Sequence, residues 1–220
     1  MGRIIATNPN QDLASIAPMN QIFLASRSPR RLELLQQIGV ACQPFALREE
    51  AGRMRDVDET PLPGENPFIY VERMAKLKAQ IGALRVRQRG MAPRPLLAAD
   101  TTVSLNGAIL GKPTDAEDAK RMLRLLSGTT HEVLTAVAVT DGNRLLHDTS
   151  ISRVRFRDLE PGEIDRYVAT REPMGKAGAY AIQGLAAVFV ERLEGSYSGV
   201  MGLPLFETAE LLSRFGIQVV

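Results

Sequence analysis

Two adjacent arginines, Arg30 and Arg31, sit just behind Ser28 and Pro29 in the stretch LASRSPRRLELLQQIG, Leu24 to Gly39. Ser28 has the chemistry of a helix N-cap, Pro29 suits the first helical position and Gly39 suits a C-terminal cap. A strand over Gln21 to Ala25 therefore feeds a helix through a tight polar turn. The start of a helix already carries partial positive charge and unpaired N–H groups, so two guanidinium groups there are electrostatically misplaced. An anion resolves the conflict. Ser26, Ser28, the helix start and the forked cations together describe a phosphate cradle without a Walker glycine loop. The alternative is that the arginines point to solvent and pair with Glu33 or another carboxylate, which stabilises little.

A second stretch, PLLAADTTVSLNGAILGKP from Pro95 to Pro113, puts Asp100 inside an otherwise apolar strand. Such a carboxylate must face a cleft, pair with a cation or bind a metal ion, because burying it alone costs several kcal/mol. A strand-end Asp that caps a neighbouring turn is the other reading. GAILGKPT superficially resembles a P-loop, but Gly107 and Gly111 are too close together and Pro113 separates Lys112 from Thr114. Lys78 lies near the apolar stripe of the helix that precedes this strand; such a lysine either snorkels to water or serves a site. A third stretch, KAGAYAIQGLAAVFVERLEGSYSGVMGLPL from Lys176 to Leu205, has small residues at Ala177, Gly178, Ala179 and Gly184 that admit close backbone approach to a ligand. Gln183 offers an amide that complements the imide edge of uracil or thymine, or simply caps a loop.

The elements that must hold these residues follow from pattern. After the first helix, Val40 to Leu47 reads as a strand and Arg48 to Asp58 as a surface loop. A helix follows from about Pro67 to Leu84, with Phe68, Val71, Ala75 and Ile81 as its core stripe. Leu96 to Leu105 and Ala108 to Leu110 form a hairpin around Asn106-Gly107. Thr114 and Glu117 form a capping box for a helix that ends at Gly128. Thr130 to Thr140 and Leu145 to Phe156 pair around Asp141-Gly142, and a short helix spans Pro161 to Ala169. Leu185 to Leu193 reads as a strand, and a helix from about Pro204 to Phe215 closes the chain.

Composition narrows the function further. The chain has 220 residues, 45% hydrophobic and 24% charged, enough for a sizeable core in a single domain, although two are compatible with the length. A formal net charge of +2, with no block of like charge, argues against nucleic-acid binding, so any anion site is local. One cysteine, Cys42, excludes an intramolecular disulfide and reads as a half-buried thiol in a reducing, cytoplasmic setting. His131 and His147 lack metal-ligand neighbours at zinc spacing, and no serine sits in a GxSxG turn. No stretch is apolar enough to span a membrane, and residues 1–20 form an N-terminal extension without the pattern of a signal peptide.

Taken in order, LASRSPRR, the DVDE segment ending at Glu59, RMAKLKA (Arg73 to Ala79), AADTTV, GKP, SGTTHEVLT and KAGAYAIQG with GSYSGVMGLPL resemble the Maf family of nucleoside triphosphate pyrophosphatases, from about Gln21 to the C-terminus. The resemblance implies an α/β chain with a two-lobed, inosine-triphosphatase-like fold: a mixed sheet, with the active site in the cleft between lobes, over residues 21–220. It makes Asp100 the catalytic carboxylate, and Ser26, Arg30, Arg31, Glu59, Lys78 and Lys112 the lining of the triphosphate and metal site, with Glu59 and Asp100 as metal ligands. The KAGAYAIQG form looks like the branch that acts on dTTP and UTP, with Arg30, Thr101 and Gln183 at the positions of its specificity determinants. The implied cofactor is a divalent cation, Mg2+ or Mn2+, the implied assembly a homodimer, and the implied purpose house-cleaning of modified nucleotides. A nucleotide-binding regulator of cell division acting through a protein partner is the competing reading.

Overall fold

The computed structural model describes residues 21–48 and 56–219. Among these, one mixed sheet joins β1 (Gln21–Leu24), β2 (Ala41–Pro44), β3 (Leu96–Leu105), β4 (Ala108–Leu110), β5 (Thr130–Thr140), β6 (Leu145–Phe156) and β7 (Val190–Glu194). The order is β2-β1-β3-β5-β6-β7, with β4 beside β3. β1 runs parallel to β2 and β3, whereas β3, β5, β6 and β7 pair antiparallel in turn.

Alternation along β3 decides what faces what. Leu96 and Ala98 join one buried cluster, and Leu97 and Ala99 join another on the opposite face, because successive strand side chains point to opposite sides. The first face is covered by α2 (Pro67–Gln88), whose Val71, Met74, Ala75 and Ala79 are wholly buried. The second is covered by α1 (Pro29–Gln37) and α6 (Leu205–Ser213), through Leu34, Leu35, Leu211 and Leu212. Farther along the long strands, a separate core gathers α3 (Ala116–Leu126) and α4 (Pro161–Ala169) around Phe156, Tyr180 and Phe189. The two lobes thus share β3, β5 and β6, and each large buried side chain stabilises its lobe by roughly 1.5–3 kcal/mol.

Several expectations need correction. Phe68 is exposed, because the buried stripe of α2 runs through Pro67, Tyr70, Val71 and Met74, and the helix continues to Gln88. β2 occupies only part of Val40 to Leu47. α3 starts one residue later than a Thr114 cap requires: the Asp115 carboxylate accepts from Asp118 N–H at 2.8 Å and outcompetes the weaker hydroxyl. Leu185 to Leu193 is not one strand but a tight 3-10 helix, Leu185–Phe189, followed by β7. A short helix that the pattern did not announce, α5 (Tyr197–Met201), is capped by Ser196. Of the loop expected over Arg48 to Asp58, residues 49–55 lie outside the described residues, as does the extension over 1–20.

Candidate active site

Lys78 shares the buried stripe of α2 with Val71, Met74 and Ala75, and Asp100 continues the face of β3 set by Leu96 and Ala98. The two elements therefore bring ammonium and carboxylate together beneath the sheet. Lys78 Nζ lies 2.6 Å from Asp100 Oδ1 and 2.5 Å from Glu59 Oε1. Glu59 Oε2 takes Lys112 Nζ at 3.2 Å, and Tyr70 OH donates to the Glu59 carbonyl at 2.9 Å, fixing the backbone there. Lys78 does not snorkel; it is buried, held by two acids. Burial pushes its ammonium toward neutrality, but Asp100 and Glu59 outweigh that and raise its pKa. Burial likewise pushes the Glu59 carboxyl up, and Lys78 with Lys112 reverses it, holding the group down at about 2.

The next residue on β3 points the other way. Thr101 faces α1, where Arg31 NH2 donates to its hydroxyl at 3.2 Å. Thr101 Oγ1 lies 2.9 Å from Thr135 Oγ1, whose own proton goes to Gly199 O at 2.8 Å, so Thr101 must donate to Thr135. Arg31 also gives Nε to Gly202 O at 2.7 Å and NH1 to Ser26 Oγ at 3.3 Å. Arg30 gives Nε to Met201 O at 3.2 Å. The hydrogen bonds of both arginines go elsewhere than to Glu33. Both are drawn to carbonyls at the end of α5, a stretch far away in sequence, where backbone partial charge is negative. Burial lowers the pKa of both guanidinium groups, with Asp100 opposing it at Arg31 and Glu33 and Glu172 opposing it at Arg30. Gly202 adopts φ of +122°, which places its carbonyl beside Arg31.

These groups surround one cavity of about 460 Å³, a size that suits a small-molecule ligand. Ser26, Arg30, Arg31, Glu59, Lys78, Asp100, Thr101 and Lys112 all line it. Gln183 does not: it is exposed and lies outside the cavity. Sequence reading passed over Lys176, which lines the cavity and donates Nζ to the Glu172 carbonyl. It opens the KAGAYAIQG run, so a cation preceding a small-residue stretch was the available signal. Also passed over was Tyr180, another lining residue, whose OH bonds His131 Nε2 at 2.9 Å. Burial drives His131 down to about 4, so it is neutral at ordinary pH.

Among the described residues, no group of three or more His, Cys, Asp and Glu side chains converges. Two carboxylates, Glu59 and Asp100, share a wall. That is too few for a closed protein cage, yet it fits Mg2+ or Mn2+, which keep waters and take oxygens from phosphate.

A family model described as Maf-like protein matches residues 21–215. A protein described as dTTP/UTP pyrophosphatase from Aromatoleum aromaticum is 59% identical over 197 residues, 89% of this chain and 96% of its own length. Its counterparts of the same description from Nitrosospira multiformis and Nitrosomonas europaea are 58% and 54% identical over 200 residues, 91% of this chain and 97% of theirs. The solved structure of the Staphylococcus aureus Ham1 protein aligns at 16% identity and a TM-score of 0.43 over 63% of this chain and 72% of that one, too distant to carry an argument.

Proposed function

This chain belongs to the Maf family, and from that membership we propose that it hydrolyses dTTP and UTP to the nucleoside monophosphate and pyrophosphate. The pyrimidine preference comes from the names of relatives that match over nearly their whole length. The observation that carries the chemistry is the meeting of a buried acid, Asp100, and a half-buried one, Glu59, with the Arg30 and Arg31 cluster across one cavity. A sensor that merely bound nucleotide would have no use for a buried acid facing its phosphate cradle.

In this reading Ser26, Arg30, Arg31 and Lys112 hold the triphosphate. Asp100 orients or deprotonates the water that attacks the α-phosphorus. The bond from that phosphorus to the bridging oxygen breaks, and negative charge collects on the departing pyrophosphate, where the guanidinium groups and Lys112 stabilise it. Lys78 balances the charge of Asp100 until substrate arrives. Arg31 is held in a fork by Ser26, Thr101 and Gly202, so little reorganisation is needed when charge develops. Glu59 and Asp100 would hold a divalent ion, which when bound supplies positive charge at the phosphate oxygens. A homodimer acting in the cytoplasm completes the proposal, and light scattering tests the assembly.

The deciding experiment incubates the protein with Mg2+ and UTP, dTTP, CTP, GTP or 7-methyl-GTP and identifies the phosphate product. Pyrophosphate from UTP and dTTP in preference to the others is expected. Orthophosphate, or turnover favouring 7-methyl-GTP, overturns the proposal.

A further inference from the structure

Glu172 lies outside the cavity lining, yet it has a dense set of partners. Its Oε1 accepts from Tyr167 OH at 3.0 Å and from Ala186 N–H at 3.4 Å, and its Oε2 accepts from Leu185 N–H at 3.1 Å. Its own N–H goes to Thr170 Oγ1 at 3.1 Å, and its carbonyl receives Lys176 Nζ. One carboxylate thus satisfies the first N–H groups of the Leu185–Phe189 turn while its backbone anchors a lysine of the cavity. The packing is tight: a Cβ on Gly184 would sit 2.4 and 2.5 Å from the two carboxylate oxygens, so any larger residue there must push the Glu172 side chain aside. Immediately before the clasp, Arg171 holds φ of +62°, an unfavourable conformation for a residue with a side chain, which surrounding contacts must maintain.

We infer that Glu172 is a positioning residue, clasping the 183–186 turn to the 172–177 segment and thereby fixing the cavity wall made by Met174, Gly175, Lys176 and Ala177. The inference rests on the nucleotide-hydrolase reading, since the wall is taken to receive substrate. Its charge also reaches Arg30 and Lys176, as expected of a group directly behind that wall. None of its contacts involves Asp100, Lys78 or Glu59, so it acts on binding geometry and not on the attacking water.

Glu172→Gln is the informative change. The amide keeps one acceptor oxygen but turns an NH2 group toward a backbone N–H, losing one charge-assisted bond and opposing another. Gly184→Ala forces the same carboxylate aside by a different route. For both variants KM for UTP rises about tenfold, the effect of losing one such bond, while kcat stays within about twofold. In hydrogen exchange, the Leu185 and Ala186 amides lose protection while β3 and β5 keep theirs. Wild-type KM in both variants, or a fall in kcat at unchanged KM, overturns the inference. If the wild-type protein itself fails to turn over UTP, the substrate reading falls, and the amide exchange alone decides the clasp: unchanged protection at Leu185 and Ala186 overturns it.

Discussion

Replacing Lys78 by Met removes the one cation that sits between two acids. Asp100 Oδ1 and Glu59 Oε1 each lie within 2.6 Å of Lys78 Nζ, so they stand no more than about 5 Å apart, and at an effective dielectric of 20 two full charges at that distance repel by about 3 kcal/mol. A second route gives a similar figure. Holding Glu59 at about 2 against an ordinary 4.5 corresponds to about 3 kcal/mol near neutral pH, shared with Lys112 and reduced to about 2 because the side chain is nearly a third exposed. The variant can escape only by protonating an acid, which near pH 7 costs up to about 4 kcal/mol. The expected loss is therefore about 3 kcal/mol near neutrality, in the range seen when one partner of a buried pair is removed. The sign of the pH dependence follows. The wild-type contribution from Glu59, a depressed carboxyl, is complete above about pH 4.5 and disappears as pH falls through about 2, while the variant's repulsion also fades as its acids protonate. Urea unfolding of both proteins, with chelator present, at about pH 7 and about pH 4.5 measures the gap. It should narrow by more than half at the lower pH. A gap under about 0.5 kcal/mol, or one independent of pH, shows that Lys78 does not offset repulsion between the two acids.

Two further predictions follow from the geometry. Arg31→Lys keeps the charge but cannot hold Ser26, Thr101 and Gly202 at once, so kcat/KM for UTP should fall by about a hundredfold with the melting temperature nearly unchanged. His131 is held neutral by burial, at about 4 against 6.5 unfolded, so as pH falls across that window the unfolded chain binds the proton first and stability drops by on the order of 3 kcal/mol. His131→Phe should flatten melting temperature against pH between those values, at a cost near neutrality from leaving Tyr180 without its partner.

The sequence was most readable where local rules and tertiary demands agreed. Pro29 and Gly39 bracket α1, and the serine and arginines singled out at its start, Ser26, Arg30 and Arg31, all line the cavity. The strand over Leu96 to Leu105, with Asp100 inside it, was legible as such, although only the packing of α2 and α1 revealed that Asp100 meets Lys78 and Thr101 meets Arg31. What stayed hidden depended on partners distant in the chain. Nothing near Arg30 and Arg31 announces the carbonyls of Met201 and Gly202. The apolar run after Gln183 has strand composition, yet Glu172 takes its first N–H groups and bends it into a 3-10 turn. Lys78 has the pattern of a snorkelling residue, and only the convergence of Glu59 and Asp100 makes burial of its charge favourable.

In the proposed mechanism Asp100 readies water for attack at the α-phosphorus. Hydrolysis of UTP with Mg2+ in 18O-labelled water, run for the wild-type protein and for Asp100→Asn, tests it directly. The wild-type protein should release pyrophosphate and place the label in UMP, and the variant, still folded by circular dichroism, should lose a factor of about a thousand in rate. Label in pyrophosphate rules out attack at the α-phosphorus, and a variant turning over at close to the wild-type rate rules out Asp100 as the group that readies the water.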